Sequence, residues 1–109
     1  MIRVEAVWLS TTPLDLRAGM DTLLARVVQV FGEARPHHAY LFANRRANRM
    51  KVLVHDGIGI WLAVRRLHEG GFAWPKPGEP LHLTHLQFES LVLGLPWQHL
   101  RDGGVIRVV

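Results

Sequence analysis

The chain is 109 residues long, 49% hydrophobic, 20% charged and free of cysteine, a profile that fits one soluble globular domain and argues against disorder or a multidomain enzyme. Lacking cysteine, it has no disulfide scaffold, thiolate zinc site, iron–sulfur cluster or cysteine nucleophile. A chain of this length buries only about two-thirds of its unfolded surface, so function is expected on the outside and not in a large enclosed cavity.

The first residues, Met1 to Glu5, have no signal-peptide pattern, and no apolar run approaches the roughly 18 residues of a membrane span, so the chain reads as cytoplasmic and without a membrane partner. Residues 2–9 alternate weakly and read as a strand. Thr12-Pro13-Leu14-Asp15 then supplies an N-cap residue, a proline at the first helical position and a carboxylate at the third, which marks a turn or helix start. Met20, Leu23, Leu24, Val27, Val28 and Phe31 follow one helical face, and Gly32 and Pro36 end it, so the spacing predicts a helix over 20–31.

The next thirty residues switch to alternation, in runs over 38–43, 49–54 and 58–66, the signature of an antiparallel meander. A three-residue loop His55-Asp56-Gly57 with a left-handed Gly57 would pair Val54 with Ile58, Val52 with Ile60 and Met50 with Leu62. That register collects the apolar residues, with Tyr40 and Phe42, on one face for the helix and leaves Asn44 to Asn48 as a hairpin tip. The opposite face would carry Leu53, Lys51 beside Trp61, Arg49 beside Ala63 and Arg65 near Arg49, with Leu41, Ala39 and Ala43. Such a mixed face requires either a second element or a partner as its cover, and the sequence leaves both open.

Trp74 to Pro80, with three prolines, separates a body (1–74) from a C-terminal piece (81–109) across a loop at 75–80. Thr84-His85-Leu86-Gln87 reads as a capping box ahead of a short helical stripe of Phe88, Leu91, Val92 and Leu95, and residues 105–109 read as a last edge strand. The expected fold class is therefore α+β: a single domain with a meander of three to five strands on one amphipathic helix, followed by a short C-terminal helix.

Thirteen Lys and Arg against nine Asp and Glu give a formal charge of +4, and residues 35–66 hold seven cations against Asp56 alone. Eleven of the thirteen are arginines, whose planar forks suit phosphate or carboxylate oxygens. A solvated basic face is the plain alternative. The run Asn44-Arg45-Arg46-Ala47-Asn48-Arg49-Met50-Lys51 carries more content: a tip with two arginines and two amides can enter a groove, Arg49, Lys51, Arg65 and Arg66 can hold phosphates, and Trp61 can stack on a base or simply pack. His82 and His85 make only a weak metal pair. Asp15, Asp21, Asp56 and Glu89 could be grouped as a metal-binding acidic set, but Asp15, Asp21 and Asp56 have local capping or turn roles, so no metal or cofactor is expected.

With these residues laid out, the chain resembles the accessory proteins of insertion sequence 66, the TnpB type encoded by that element's second reading frame, and not the larger RNA-guided nuclease of the same name. The resemblance runs from about Val7 to Trp97. It rests on Thr12-Pro13-x-Asp15-x-Arg17-x-Gly19, Leu41-Phe42-x-Asn44-Arg45-Arg46, Arg49-x-Lys51-x-Leu53, Asp56-Gly57-x-Gly59, Trp61-Leu62, Arg66-Leu67-x-x-Gly70-x-Phe72-x-Trp74-Pro75 and Leu83-Thr84-x-x-Gln87. Departures are Leu16 for a usual methionine, His55 for a common aromatic, and Gly71 and Ala73 where basic residues are frequent. The resemblance implies a small non-catalytic helper of a separate transposase.

The leading expectation is thus a DNA-binding accessory protein that contacts transposon ends through Asn44, Arg45, Arg46, Asn48, Arg49, Lys51, Arg65 and Arg66. A second reading is an adaptor that binds the transposase, or itself as a homodimer, through Leu41, Leu53 and Trp61 or through the C-terminal helix. A third is a small basic ribonuclease of the toxin type with His55 as acid or base. Whether Asp15 and Arg17 pair with each other or serve a partner stays open at this point.

Overall fold

The computed structural model describes residues 3–100. In chain order the elements are β1 (Ala6–Leu9), α1 (Met20–Phe31), β2 (His38–Ala43), β3 (Arg49–His55), β4 (Ile60–Arg66), β5 (Leu81–Leu83) and α2 (His85–Val92). The five strands form one sheet in the order β4-β3-β2-β1-β5. The pair β1–β2 is parallel, because α1 carries the chain back along one face between them, and the other three pairs are antiparallel. The α+β architecture is as the periodicities predict, with one parallel pair added to the meander. No helix is long and apolar enough to cross a membrane among the described residues, and the strand expected at 105–109 lies outside them.

Helix α1 covers the predicted residues. It starts after Gly19, has Asp21 in its first turn and ends at Gly32, whose φ of 91° lets its N–H return to the Val28 carbonyl. Thr12 does not cap it: residues 12–18 stay a loop, in which Asp15 accepts from the backbone N–H of Arg17. Leu23 and Val27 are buried against Tyr40, Phe42 and Leu53, with Leu62 and Ile60 at the margin of that cluster. Val28 faces outward instead of joining the core.

The hairpin registers differ from those expected. Val54 pairs with Trp61, Val52 with Ala63 and Met50 with Arg65, three residues beyond the predicted partners. Gly57 does adopt a left-handed φ of 91°, but the loop is one residue longer, Asp56–Gly59. The Asp56 carboxylate accepts the N–H groups of Ile58 (2.8 Å) and Gly59 (2.7 Å), and its own N–H closes onto the Gly59 carbonyl. In the first hairpin Tyr40 pairs with Leu53 and Phe42 with Lys51. A change of parity exchanges the faces of a strand. Met50, Val52 and Val54 therefore lie beside Leu41 and Ala39, while Leu53, Lys51 and Arg49 lie on the α1 face with Tyr40 and Phe42.

The second face is covered from within the chain. Leu91 of α2, Phe72, Trp97 and Leu100 pack there on Val7, Leu9, Leu41 and Met50. The capping box forms as predicted: Thr84 accepts from Gln87 N–H (3.0 Å) and Gln87 accepts from Thr84 N–H (2.8 Å). Strand β5, not foreseen, brings the C-terminal piece back beside β1. The proline-rich loop is tied to the end of β1, since Thr11 donates to the Gly78 carbonyl (2.7 Å) and accepts from the Gly78 N–H (2.9 Å).

This packing makes Leu23 a sensitive position. Leu23→Ala should lower unfolding stability by about 2–5 kcal/mol in denaturant titration, whereas Val28→Ala on the same helix should cost well under 1 kcal/mol.

Candidate nucleic-acid interface

On the α1 face a cleft of about 550 Å³ opens between two segments far apart in sequence: the loop Pro13–Arg17 and the hairpin residues Asn44, Arg45, Arg46, Arg49 and Lys51, with Val64 of β4 beside them. Both segments are fixed. The Leu14 N–H donates to the Ala43 carbonyl (3.0 Å), and the Lys51 ammonium donates to the Ala18 carbonyl (3.0 Å), so the loop is held to the sheet near both ends. Lys51 is half-buried by this contact.

The hairpin tip is a braced block. Asn44 Oδ1 accepts the N–H groups of Asn48 and Arg49 (3.2 Å each), and Asn44 Nδ2 donates to Asn48 Oδ1 (2.7 Å). Ala47 takes a left-handed φ of 54°, and its carbonyl accepts the Phe72 N–H at 2.6 Å. Gly71 permits that approach, because a Cβ there would lie 3.0 Å from the Ala47 oxygen. The two asparagines expected to read bases are therefore committed to building the turn. Arg45, Arg46 and Arg49 remain exposed.

The cleft collects five cations, Arg17, Arg45, Arg46, Arg49 and Lys51, against the single carboxylate of Asp15. Asp15 is already engaged: Arg17 forks onto it through Nε (3.0 Å to Oδ1) and Nη2 (2.7 Å to Oδ2), and this guanidinium holds the carboxyl down to about 2. Asp15 and Arg17 thus pair with each other. Among the described residues no carboxylate lies within ion-pair distance of Arg45, Arg46, Arg49 or Arg66. Arg49 sits directly opposite Arg66 in the β3–β4 ladder, a like-charged cross-strand pair that is unfavourable on a bare sheet and relieved by an anion.

Three expected placements are corrected by the registers. Arg65 lies on the face away from α1, as expected, where its Nε donates to the Val92 carbonyl (2.6 Å), but Arg49 lies on the α1 face, so it is Arg66 that neighbours Arg49. Trp61 is not beside Lys51; it lies on the opposite face and donates to Asp56 Oδ2 (2.7 Å). Leu41 and Leu53 are both fully buried, on opposite faces, so neither is available to a partner. Arg17 is the contributor that sequence reasoning leaves out. Its signal is the spacing Asp15-x-Arg17 after a proline, but only the sheet brings that loop to the hairpin.

His55 accepts the Gly57 N–H on Nδ1 (2.9 Å), within the turn. Among the described residues no group of three or more His, Asp or Glu side chains could hold a metal ion.

The sequence model described as IS66 Orf2 like protein matches residues 5–102. Two proteins of Sinorhizobium fredii (strain NBRC 101917 / NGR234) are similar to the chain. Uncharacterized protein y4hO is 32% identical over 99 residues, covering 88% of this chain and 85% of its own length. Uncharacterized protein y4jC is 32% identical over 105 residues, covering 93% and 88%. No solved structure matches the chain.

The Asp15 shift has a testable sign. Because its carboxyl is lowered from 3.8 to about 2 in the fold, its contribution is fully present above the unfolded value and is lost as pH falls from about 4 to 2. An NMR titration should place the Asp15 midpoint near 2, and Arg17→Ala should return it toward 3.8.

Proposed function

Because the chain belongs to the IS66 Orf2-like family, and with it to the accessory proteins of insertion-sequence transposition, we propose that it is a non-catalytic helper whose cleft grips the phosphate backbone of DNA at the transposon ends. The observation that carries this reading is the convergence of four arginines and a lysine from two separate segments around one carboxylate that is internally neutralised. Guanidinium groups fork onto phosphate oxygens, and the braced turn that carries Arg45, Arg46 and Arg49 leaves their backbone little freedom to lose on binding. An incoming phosphate also sits well between Arg49 and Arg66, whose mutual repulsion it screens.

The roles differ from residue to residue. Arg45, Arg46, Arg49 and Arg66 are the phosphate contacts, joined by Arg17 where it turns its remaining N–H groups outward. Lys51 adds charge and holds the loop through Ala18. Asn44 and Asn48 shape the tip. Contacts of this kind position a protein on a duplex and carry little sequence information, so preference for transposon ends over other DNA is expected to be small for this protein alone and to come from the transposase. The adaptor reading keeps Trp61 but not the buried Leu41 and Leu53.

Fluorescence anisotropy with transposon-end and scrambled duplexes across salt concentrations tests the proposal. Binding should weaken steeply with salt, and Arg45→Ala/Arg46→Ala should flatten the log–log slope by about 2, at about 0.9 for each phosphate no longer neutralised. Arg65→Ala, on the other face, should leave the slope unchanged. Absence of binding at low salt sinks the DNA reading and makes the transposase the direct partner.

A further inference from the structure

Strand β4 is an outer strand of the sheet, hydrogen-bonded to β3 alone among the described residues. The phase of its backbone follows from the ladders. Asn44 N–H donates to the Arg49 carbonyl, so Arg49, Lys51 and Leu53 turn their backbone groups toward β2 and leave Met50, Val52 and Val54 to bond β4 at Arg65, Ala63 and Trp61. The closing bond from Asp56 N–H to the Gly59 carbonyl is in the same phase. Ile60, Leu62, Val64 and Arg66 therefore present their N–H and C=O groups outward.

Sheets commonly blunt such edges with short strands, prolines, bulges or charges. The opposite outer strand, β5, is three residues long and follows Pro80. By contrast β4 runs seven residues without proline or glycine and is charged only at its end. Trp61 is 53% exposed and Val64 62% exposed along it. This is a long, regular edge with apolar side chains on both faces.

We propose that β4 pairs with β4 of a second copy of this chain, antiparallel about a two-fold axis at Ala63. Of the symmetric registers, this one alone pairs all seven residues. It sets Leu62 against Val64 of the partner subunit on one face and Trp61 against Arg65 of the partner subunit on the other, an apolar pair and a cation–π pair. Ala63 meets its own counterpart in a non-hydrogen-bonded pair, the closest approach in an antiparallel ladder, where a small side chain fits. The antiparallel sense carries the arginines of the two copies to opposite ends of the seam. The axis is perpendicular to the sheet, so both α1 faces lie on the same side. Since Val64 lines the basic cleft, the two clefts border the shared seam on the same side of the sheet. The pairing stands on the edge and its side chains and does not depend on DNA binding.

Sedimentation velocity of the full chain without DNA tests it. The wild type should run as a dimer of the 12.4 kDa chain. Ala63→Arg and Ala63→Glu, each placing like charges face to face at an exposed site, should run as folded monomers by circular dichroism, and an equimolar mixture of the two should recover the dimer. Ala63, paired with Val52, lies on the face away from the cleft, so its variants make loss of the dimer separable from loss of DNA binding. A monomeric wild type overturns the proposal, including the case in which truncation after Leu100 releases a dimer and so identifies the chain's own tail as the occupant. A dimer that survives both Ala63 variants overturns it as well, because another surface, or another register, then holds the copies together.

Discussion

The register of the two hairpins is the constraint on which the rest of this structure depends. A β-strand places alternate residues on opposite faces, so an odd change in pairing moves every side chain across the sheet. Here the braced Asn44–Asn48 loop and the Asp56 turn set pairings that place Arg49, Lys51 and Arg66 on the α1 face and send Arg65 and Trp61 to the other. The same parity buries Leu53 under α1 and Met50 under the C-terminal segment, which is why both faces near the centre of the sheet are sealed.

A second consequence is that cations concentrate where the packing ends. Helix α1 covers the sheet over Tyr40, Phe42 and Leu53, but the loop ahead of it crosses near Ala43 and Lys51 and leaves a cleft beyond. Long arginine side chains suit that margin, because their stems lie on the protein and their forks stay solvated. The Asp15–Arg17 pair is fully solvated and contributes little to stability as an ion pair. Its effect is on shape: Asp15 also accepts the Arg17 N–H, holding the loop in the turn that faces the hairpin.

The sheet is asymmetric at its two edges for a related reason. The C-terminal segment packs its apolar residues on β1, β2, β5 and the Met50 side of β3, and its reach toward β4 is the contact of Arg65 with the Val92 carbonyl. Strand β4 is consequently held on one side by β3 and covered only in part on its faces. The Asp56 carboxylate, lowered to about 2 by the Gly59 and Ile58 N–H groups and the Trp61 indole, stiffens the turn that leads into this exposed strand.

Local patterns in the sequence determined the helix over 20–31, the three strands of the meander, the Thr84–Gln87 capping box and the basic character of residues 35–66, because each depends on periodicity or on a side chain reaching a few residues along the chain. The short β5 carries too little pattern to be seen before its partner β1 is known. The composition of the cleft was half legible: the Arg45–Lys51 run announces itself, while Arg17 lies some thirty residues away and joins it only through Leu14, Ala18 and the sheet. Which face Arg49 and Lys51 occupy was decided by tertiary structure alone. The Asn44–Asn48 turn sets β3 against β2 and the Asp56 turn sets β4 against β3, and each is held by side-chain hydrogen bonds to backbone N–H groups that no alternation of apolar residues reveals.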